Sequence, residues 1–331
     1  MPNETERVVQ TPFSTEPVRV SKLMMVLLVA GFISSVIIAV LYFNWMHPQN
    51  KKHAAFGEES FLAAIGTTPV SPLFTVDVKH KKVTPITFPV RDGVSLPVLS
   101  LVHDNLGGTY VILQEATSTQ QGNLYYKKGS DDAKKLTNSA TTKYNLTYDA
   151  TYNRVAYQAK TIKKLGDLFI EKDWALTIFN PTLGKETVVG TGTAPTFSAE
   201  GQSLVFTNAG TIEMLNIGSA STTKLFTIAP LTPFAISKNA LEVSIYNAVT
   251  KKIDRYHMEG GRFPSYTQSD DAPLMPSILG YVNGELVRTY VGKVANEDSY
   301  TFVSNEKSPP TLVIVPAYEG GSLLKYIESY E

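Results

Sequence analysis

The stretch APTFSAEGQSLVFTNAGTIEMLN, from Ala194 to Asn216, contains two short runs in which apolar and polar residues alternate. Such alternation is typical of β-strands in a packed sheet. Glu200 and Gly201 precede the first run, and glycine adopts positive φ without a Cβ clash. The stretch therefore predicts a unit of turn and strands that belongs to a larger sheet.

The same unit recurs along the chain. Residues Thr196–Asn208 align with Thr147–Ala159 at an offset of 49, and Ile236–Asn247 is a third copy at an offset of 39. In this third copy Ser237 takes the place of Ser198. The recurrence indicates a repeat protein built from related strand pairs.

Two weaker copies flank these three. Tyr110 takes the place of Val155 at an offset of 45, and SYTFVSN, from Ser299 to Asn305, forms the last copy. A further strand follows each copy, so the unit is a meander, which cannot bury both of its faces alone. Repetition at this spacing buries both faces by stacking sheets around an axis, as in a β-propeller.

We therefore expect an all-β fold, a β-propeller of about five to six blades over residues 74–331. Five copies are visible, and the segment FTVDVKHKKVTPITFPV after Leu73 is expected to supply missing strands or to close the ring. The segment LLKYIES near the end of the chain predicts a short helix. A β-sandwich built from similar strands is the alternative.

The best-preserved copy resembles the WD40-like propeller repeats of the TolB type, whose units carry a Ser-x-Asp-Gly turn, an apolar strand and a second strand. Glu200 stands where that family prefers aspartate. The resemblance covers about Tyr110 to Asn247 and implies a propeller whose repeats are scaffold. The matching residues are Ser198, Gly201, Leu204, Phe206, Ile212 and Leu215, with Leu136-Thr137 closing an earlier unit.

The most apolar segment, LMMVLLVAGFISSVIIAVLYF at Leu23–Phe43, has no charged residue. A helix of this length, at about 1.5 Å per residue, spans the ~30 Å hydrocarbon layer of a bilayer. We therefore expect a signal anchor, a single transmembrane helix that contacts the lipid bilayer. A cleaved signal peptide is the alternative, but the bulky FNWMH that follows disfavours cleavage.

The flanks of this segment suggest its orientation. Arg7, Arg19 and Lys22 precede it, and Lys51 and Lys52 follow it. The small positive-inside bias favours a flexible cytoplasmic tail over residues 1–22 and an extracytoplasmic carboxyl-terminal domain in the cell membrane.

Residues 44–73 have the composition of a linker. Within them the segment GEESFLAAIGTTP predicts a short helix on which Phe61, Leu62 and Ile65 share one face. We expect this helix to pack at the base of the domain that follows.

The composition excludes several function classes. Thirty basic residues balance 30 acidic residues, so no net field favours nucleic acid. There is no cysteine, which excludes disulfides, thiolate metal sites and a cysteine nucleophile. No P-loop or G-x-G-x-x-G motif supports nucleotide binding. We expect no cofactor.

No catalytic constellation is visible in the sequence. Neither GVSLP at Gly93 nor GQSLV at Gly201 completes the G-x-S-x-G elbow of a serine hydrolase. The five histidines lack metal-ligand spacing, and His103-Asp104 is best explained as a turn between blade strands. The two Asp-Asp pairs, Asp131-Asp132 and Asp270-Asp271, lack the further oxygens that calcium needs. We expect no catalytic, cofactor-binding or metal-binding residue.

The anchor and the repeats together predict a binding or scaffold module that displays a propeller to a protein, peptide or glycan partner in the cell envelope. Propellers bind ligands at the channel mouth and on connecting loops. The loops Asp104–Gly108 and Ser269–Pro276 are the candidate contact regions. The alternative is a hydrolase or lyase that acts on glycan or peptide at the propeller mouth.

Overall fold

The computed structural model describes residues 60–66, 71–77, 79–90, 94–116, 121–129, 132–139, 141–165, 168–171, 173–258, 264–282, 284–304, 311–316 and 322–327. All of them belong to the compact unit Ala54–Glu331. No helix within these ranges has the length and hydropathy needed to cross a bilayer. The predicted anchor Leu23–Phe43 and the tail before it lie outside the described residues.

The described strands form six sheets, numbered here as blades 1 to 6. Blade 1 contains β1 (Phe61–Gly66), β2 (Leu73–Asp77), β3 (Lys82–Pro85) and the last strand of the chain, β26 (Ser322–Ile327). Blade 2 contains β4 (Thr87–Pro89), β5 (Ser95–His103), β6 (Gly108–Ala116), β7 (Gln121–Lys128) and β8 (Lys134–Lys135). Blade 3 contains β9 (Thr141–Asp149), β10 (Arg154–Leu165), β11 (Leu168–Glu171), β12 (Ala175–Asn180) and β13 (Lys185–Thr191).

The remaining blades each contain four consecutive strands. Blade 4 contains β14 (Thr193–Phe197), β15 (Ser203–Asn208), β16 (Thr211–Asn216) and β17 (Ser221–Thr227). Blade 5 contains β18 (Phe234–Ile236), β19 (Glu242–Asn247), β20 (Lys252–His257) and β21 (Ser265–Asp271), with a 3₁₀ turn at Lys238–Ala240. Blade 6 contains β22 (Ile278–Val282), β23 (Glu285–Val294), β24 (Glu297–Ser304) and β25 (Thr311–Pro316).

The ring closes through the two ends of the domain. Strand β26 pairs antiparallel with β1, with Ala63 opposite Tyr326, so the last strand completes the first blade. The first strands of neighbouring blades contact one another, as β22 contacts β26 and β5 contacts β9, which places them around the axis. The segment after Leu73 supplies β2, β3 and β4, as the sequence predicts.

Six apolar clusters fill the six contacts between neighbouring blades. Leu204 and Phe206 pack with residues of blade 3, whereas Val205, between them, packs with residues of blade 5. Because successive residues of a strand point to opposite faces, each blade is apolar on both faces. The sheets therefore form a ring of six blades and not the two stacked layers of a sandwich. One pair from each contact is Phe61 with Phe302, Leu62 with Val111, Ile112 with Val155, Ile178 with Phe197, Val205 with Val243, and Tyr246 with Tyr281.

The structure confirms the turn that defines the repeat. The Ser198 N–H donates to the Ser203 carbonyl at 2.9 Å, and the Ser203 N–H donates to Oγ of Ser198 at 3.2 Å. Ser237 and Glu242 make the same two contacts in blade 5, at 2.9 and 2.8 Å. The alignment of Ser237 with Ser198 is therefore correct.

Both weaker alignments are wrong. Tyr110 packs toward blade 3, the next blade, whereas Val155 packs toward blade 2, the preceding one. The turn between the first and second strands is one residue shorter in blade 2 than in blade 3, so Tyr110 and Val155 are not equivalent positions. The copy Ser299–Asn305 overlaps β24, the third strand of blade 6, and the second strand of that blade is β23.

Both predicted short helices are strands. Phe61–Gly66, assigned to a helix in the linker, forms β1, so the propeller begins before residue 74. Phe61 packs toward blade 6 and Leu62 toward blade 2, and a strand buried on both faces gives an apolar run that resembles one face of a helix. LLKYIES contributes to β26 for a topological reason, because blade 1 needs a fourth strand to close the ring.

Candidate functional site

The two ends of the propeller carry different connections. The turns from the first to the second strand and from the third to the fourth strand lie at one end, here called the proximal end, where β1 begins and β26 finishes. The turns from the second to the third strand and the connections between blades lie at the other, the distal end. Loop Asp104–Gly108 is proximal, whereas the connection that follows β21, within Ser269–Pro276, is distal. The structure therefore does not bring the two predicted contact loops together.

Aliphatic side chains are exposed on the distal connections of blades 4 to 6. Leu231 and Val249 are each 93% exposed, Leu274 is 70% exposed and Met275 is 56% exposed. These four residues are here called the distal tips. Leu106 and Leu183 are also exposed, on proximal turns of blades 2 and 3. Single exposed apolar residues are ordinary on protein surfaces, and a group of them on neighbouring connections is a candidate interaction surface.

The first distal tip is held in an unfavourable backbone conformation. Leu231 has φ 62° in the turn Ala229-Pro230-Leu231-Thr232, which the Thr232 N–H closes on the Ala229 carbonyl at 3.1 Å. Glycine is the usual residue at this position of a turn with positive φ. A bulky residue with positive φ costs about 1 to 2 kcal/mol. Leu231 combines this strain with an apolar side chain in water.

The second distal tip lies on a turn that an asparagine fixes. Oδ1 of Asn247 accepts from the Val249 N–H at 3.1 Å and from the Thr250 N–H at 3.2 Å. Such asparagine turns are locally stable. The turn therefore holds Val249 in solvent without contributions from packing.

Hydrogen bonds join the connections that carry the tips. The Tyr246 N–H donates to the Pro233 carbonyl at 3.0 Å, which joins the Leu231 connection to β19. The Ala272 N–H donates to the Lys251 carbonyl at 3.0 Å, which joins the Val249 turn to the next connection. The distal tips therefore share one hydrogen-bonded framework.

The third connection is stiffened by two prolines. Leu274 and Met275 stand between Pro273 and Pro276, whose rings fix φ. Beyond the second proline, the Ser277 N–H donates to the Thr289 carbonyl at 2.7 Å. A stiff connection loses little entropy when a partner covers its apolar side chains.

A charged cluster between blades 5 and 6 lies toward the proximal end, where β19 begins and β22 finishes. Arg255 donates to Glu242 at 2.7 Å and lies 3.6 Å from a carboxylate oxygen of Asp270, at the end of β21. The Tyr281 hydroxyl also donates to Glu242. Burial, and then this carboxylate, raise the pKa of Tyr281 well above its usual value. These groups bind one another and hold blade 5 against blade 6.

At the proximal end, Asp104 serves as a turn residue, as the sequence indicates. Its carboxylate accepts from the N–H groups of Leu106 and Gly108, at 2.9 and 2.6 Å, and from the Tyr126 hydroxyl at 2.9 Å. Asp149 holds the corresponding position in blade 3, where it accepts from the Thr151 N–H at 2.9 Å. The carboxylate oxygens of Asp104 therefore stabilise the turn between the first and second strands of its blade.

His103 is partly buried beside this turn. Its Nδ1 lies 2.9 Å from Oγ1 of Thr109. Burial, and then the Lys238 ammonium of blade 5, lower the pKa of the imidazole. A group of three histidine or carboxylate side chains close enough to hold a metal ion does not occur among the residues that the structure describes.

A series of polar contacts in blade 3, on the face toward blade 2, is not predicted from the sequence. Lys143 is completely buried, and its ammonium donates to Ser139 and, at 2.9 Å, to Thr141. A carboxylate oxygen of Glu186 lies 3.7 Å away and accepts from the Tyr157 hydroxyl. The only sequence signal is a lysine in the alternating strand TTKYNLTY, where a side chain that points inward is indistinguishable from one that points outward.

No protein-family model matches this chain, and no curated protein matches it. A crystal structure of a protein from Lactobacillus plantarum, from a structural genomics consortium, is similar at 14% sequence identity over 80% of this chain and 99% of that one, with a TM-score of 0.38. This TM-score is too low to support the fold, so the six-bladed ring rests on the strand pairing and on the clusters between blades.

Proposed function

We propose that this chain is a membrane-anchored, extracytoplasmic binding module that presents the distal end of its propeller to a protein partner. The observation that carries the proposal is the set of distal tips, which are exposed on rigid connections. Burying one leucine side chain yields about 1.5 to 3 kcal/mol. A partner that covers Leu231 and Leu274 gains this free energy with little loss of entropy.

The chemistry of the distal tips favours a protein over the other partners. All four are aliphatic, whereas tryptophan and tyrosine are the residues enriched at the interfaces of bilayers. A flat polar ligand such as a glycan offers no apolar pocket for leucine, valine or methionine. Pockets in a folded protein do, and an aliphatic side chain seated in a pocket is one kind of interface anchor.

The anchor supports the proposed location. Leu23–Phe43 has the length and hydropathy of a single-pass signal anchor. The propeller begins with β1 and finishes with β26 at its proximal end, so neither the chain that enters it nor the chain that leaves it lies at the distal end. We propose a cytoplasmic amino terminus and a role in the cell envelope.

We propose a non-catalytic role, because three partly buried carboxylates already accept hydrogen bonds from groups within the blades. Asp104 accepts three hydrogen bonds, and Glu242 is bound by Arg255. Glu115 accepts from Asn123 and Lys135, each at 2.9 Å. Such groups stabilise blades and are poorly placed to transfer protons to a substrate.

Site-specific photocrosslinking in intact cells tests the binding surface. A photoreactive residue at Leu274 is expected to give one discrete protein adduct, and the same residue at Leu106, exposed at the proximal end, is the matched control. Met275→Asp is expected to remove the adduct at Leu274 without changing expression. Equal adducts at both positions, or an adduct at Leu106 alone, would contradict a distal surface.

A single cysteine tests the location separately, because the chain has none of its own. Ser219 is exposed on a proximal turn of blade 4. Ser219→Cys is expected to react with a membrane-impermeant maleimide in intact cells. Labelling only after lysis would overturn the extracytoplasmic orientation and leave the binding surface as a separate question.

A further inference from the structure

Exposed lysines gather on the proximal turns of blades 1 to 3. Each lies on, or directly beside, the turn between the third and fourth strands of its blade, and none forms an ion pair with another residue that the structure describes. They are here called the proximal lysines: Lys79, Lys81, Lys82, Lys128, Lys134 and Lys185.

Few carboxylates offset these lysines. Asp132 and Glu186 are the exposed carboxylates described beside the same turns, and Glu186 already accepts from the Tyr157 hydroxyl. Asp131, which precedes Asp132, lies outside the described residues. The proximal side of blades 1 to 3, here called the proximal sector, is therefore basic, although the chain as a whole has no net charge.

The turn of blade 1 holds three of the proximal lysines on a fixed backbone. One carboxylate oxygen of Asp77 accepts from the His80 N–H at 2.9 Å, and the other lies 2.8 Å from Nδ1 of His80. Asp77 is therefore bound within the turn. Lys79, Lys81 and Lys82 extend from this turn into solvent.

Apolar side chains are exposed in the same sector. Tyr148 joins two of the turns that carry them, because its hydroxyl lies 3.0 Å from Oδ1 of Asn105 and 3.2 Å from Oδ1 of Asn153. The third turn is closed by Asn180, whose Oδ1 accepts from the N–H groups of the turn at 3.0 and 3.2 Å. The exposed side chains are Leu106, Tyr152 and Leu183, which are 62, 52 and 71% exposed.

We propose that the proximal sector docks on the surface of a bilayer that contains anionic phospholipids. The proximal lysines bind the headgroup phosphates, and Leu106, Tyr152 and Leu183 enter the interfacial layer. Binding to such a surface combines buried apolar area with electrostatic attraction. Each lysine near an anionic surface strengthens the binding about fivefold. Tyrosine is enriched at this depth, and lysine stems lie along apolar groups while the ammonium stays with the headgroups.

The residue types favour a lipid surface over an acidic protein. All six basic residues are lysines, whereas protein interfaces are enriched in arginine and depleted in lysine. The rigid fork of arginine suits a carboxylate held on a protein. Lysine is a point charge on a flexible stem, so it can follow headgroups that move within the bilayer.

The inference rests on the proposed function in one respect, since the anchor Leu23–Phe43 brings the propeller to a bilayer. β1 begins at the proximal end, so the segment that follows the anchor joins the propeller at that end. Docking of the proximal sector leaves the distal tips free for the proposed protein partner.

Fluorescence quenching in vesicles tests the docking with the full-length chain. The chain has no cysteine, so Leu183→Cys can be labelled with bimane, an apolar fluorophore. In vesicles of equal parts phosphatidylcholine and phosphatidylglycerol, brominated acyl chains are expected to quench this label, and less so in phosphatidylcholine alone. Val249→Cys, labelled at the distal end, is the matched control and stays unquenched. A Leu183 label that is unquenched in both lipids, or quenched no more than the Val249 label, would overturn the proposal.

Charge reversal gives a second readout. Lys79→Glu/Lys81→Glu/Lys82→Glu is expected to lower the ratio of docked to free propeller, read from the quenching at Leu183, about a hundredfold or more. The control with the same change of charge is Lys224→Glu/Lys251→Glu/Lys252→Glu, at exposed positions of blades 4 and 5, and it leaves the ratio unchanged. Unchanged melting temperatures show that both variants are folded. Equal quenching in the first variant and the wild type would refute a role of the lysines.

Retention of the chain on vesicles after an alkaline carbonate wash tests the anchor separately. A chain that is retained but unquenched at Leu183 would refute docking and leave the anchor intact. A chain that is washed off, yet quenched at Leu183 before the wash, would refute the anchor and support docking. A chain that neither stays nor is quenched would refute both.

Discussion

The Lys143 ammonium lies 3.7 Å from a carboxylate oxygen of Glu186, inside the contact between blades 2 and 3. Lys143 is completely buried, and burial lowers its pKa below the usual value of 10.5 although Glu186 acts in the opposite direction. The pair stabilises the contact at the expense of a desolvated charge. The Glu186 side chain is 35% exposed, so the cost of the pair lies with the buried ammonium, and removing its carboxylate is more damaging than replacing both groups.

We expect Glu186→Gln to lower the free energy of unfolding by about 1 to 3 kcal/mol, because it removes the carboxylate that acts most strongly on the buried Lys143 ammonium and leaves Glu115 as the weaker counter-charge. The measurement is the urea midpoint of the full chain in detergent. Glu200→Gln, an exposed position on the blade 4 turn, is the control. Equal midpoints for wild type and Glu186→Gln would show that the pair contributes nothing.

The pH dependence of Lys143 follows from the sign of its pKa shift. A lysine whose folded pKa is lowered binds fewer protons in the folded than in the unfolded state, so its contribution to stability rises with pH between the lowered pKa and 10.5. Lys143→Met removes this term. We expect the stability of wild type relative to Lys143→Met to increase from pH 7 to pH 10. A constant difference in urea midpoint across that range would contradict the shift.

The buried tyrosines predict the opposite trend at higher pH. Burial, and then the Glu186 carboxylate, raise the pKa of Tyr157 far above 10.0. The unfolded chain loses this proton near pH 10 and the folded chain keeps it, so stability is lost as pH rises above 10, by up to ~1.4 kcal/mol per unit. Tyr157→Phe is expected to reduce this slope, measured from urea midpoints between pH 10 and 11. Tyr152→Phe, an exposed site, is expected to leave the slope unchanged.

A further contact joins the proximal turns of blades 3 and 4. Arg154 donates to Asp149 at 2.8 Å and to the Gly201 carbonyl of the next blade. Arg154→Met keeps the apolar stem but leaves the buried Asp149 carboxylate with one donor fewer, so we expect a loss of about 1 to 3 kcal/mol. Arg288→Met in blade 6 is the comparison, because Arg288 donates to the Asp271 carbonyl, so the group that loses its donor is a carbonyl and not a carboxylate. Thermal unfolding that shows the smaller loss for Arg154→Met would contradict this assignment.

The sequence was sufficient to predict the class of fold, because turn residues and alternating apolar residues recur from blade to blade. Ser198 and Ser237 make the same turn contacts, and alternating apolar residues fill both faces of each strand. The sequence predicts five to six blades and not a single number, because the first blade combines strands within Phe61–Pro85 with Ser322–Ile327 from the end of the chain. Pairing between the two ends of a chain has no local signature.

The candidate site was less predictable. The sequence predicts a connecting loop at Ser269–Pro276, which contains two distal tips, Leu274 and Met275. It does not predict Leu231 and Val249, since an apolar residue in a turn is recognised as exposed only when the residues around it are placed. Lys143 was missed for the converse reason, because burial of a charged residue depends on another blade.

Leu231 offers a test that separates binding from stability. Leu231→Gly relieves the positive φ of 62° and removes an exposed apolar side chain, so we expect the free energy of unfolding to stay equal or rise by up to ~1 kcal/mol. The same change removes a distal tip, so the photocrosslinked adduct at Leu274 is expected to weaken. Ala220→Gly is the matched control, because Ala220 has φ 53° on an exposed proximal turn and lies away from the tips. It is expected to raise stability in the same way and to leave the adduct unchanged. A Leu231→Gly chain that is less stable than wild type, or one that keeps the full adduct, would show that Leu231 serves the fold and not a partner.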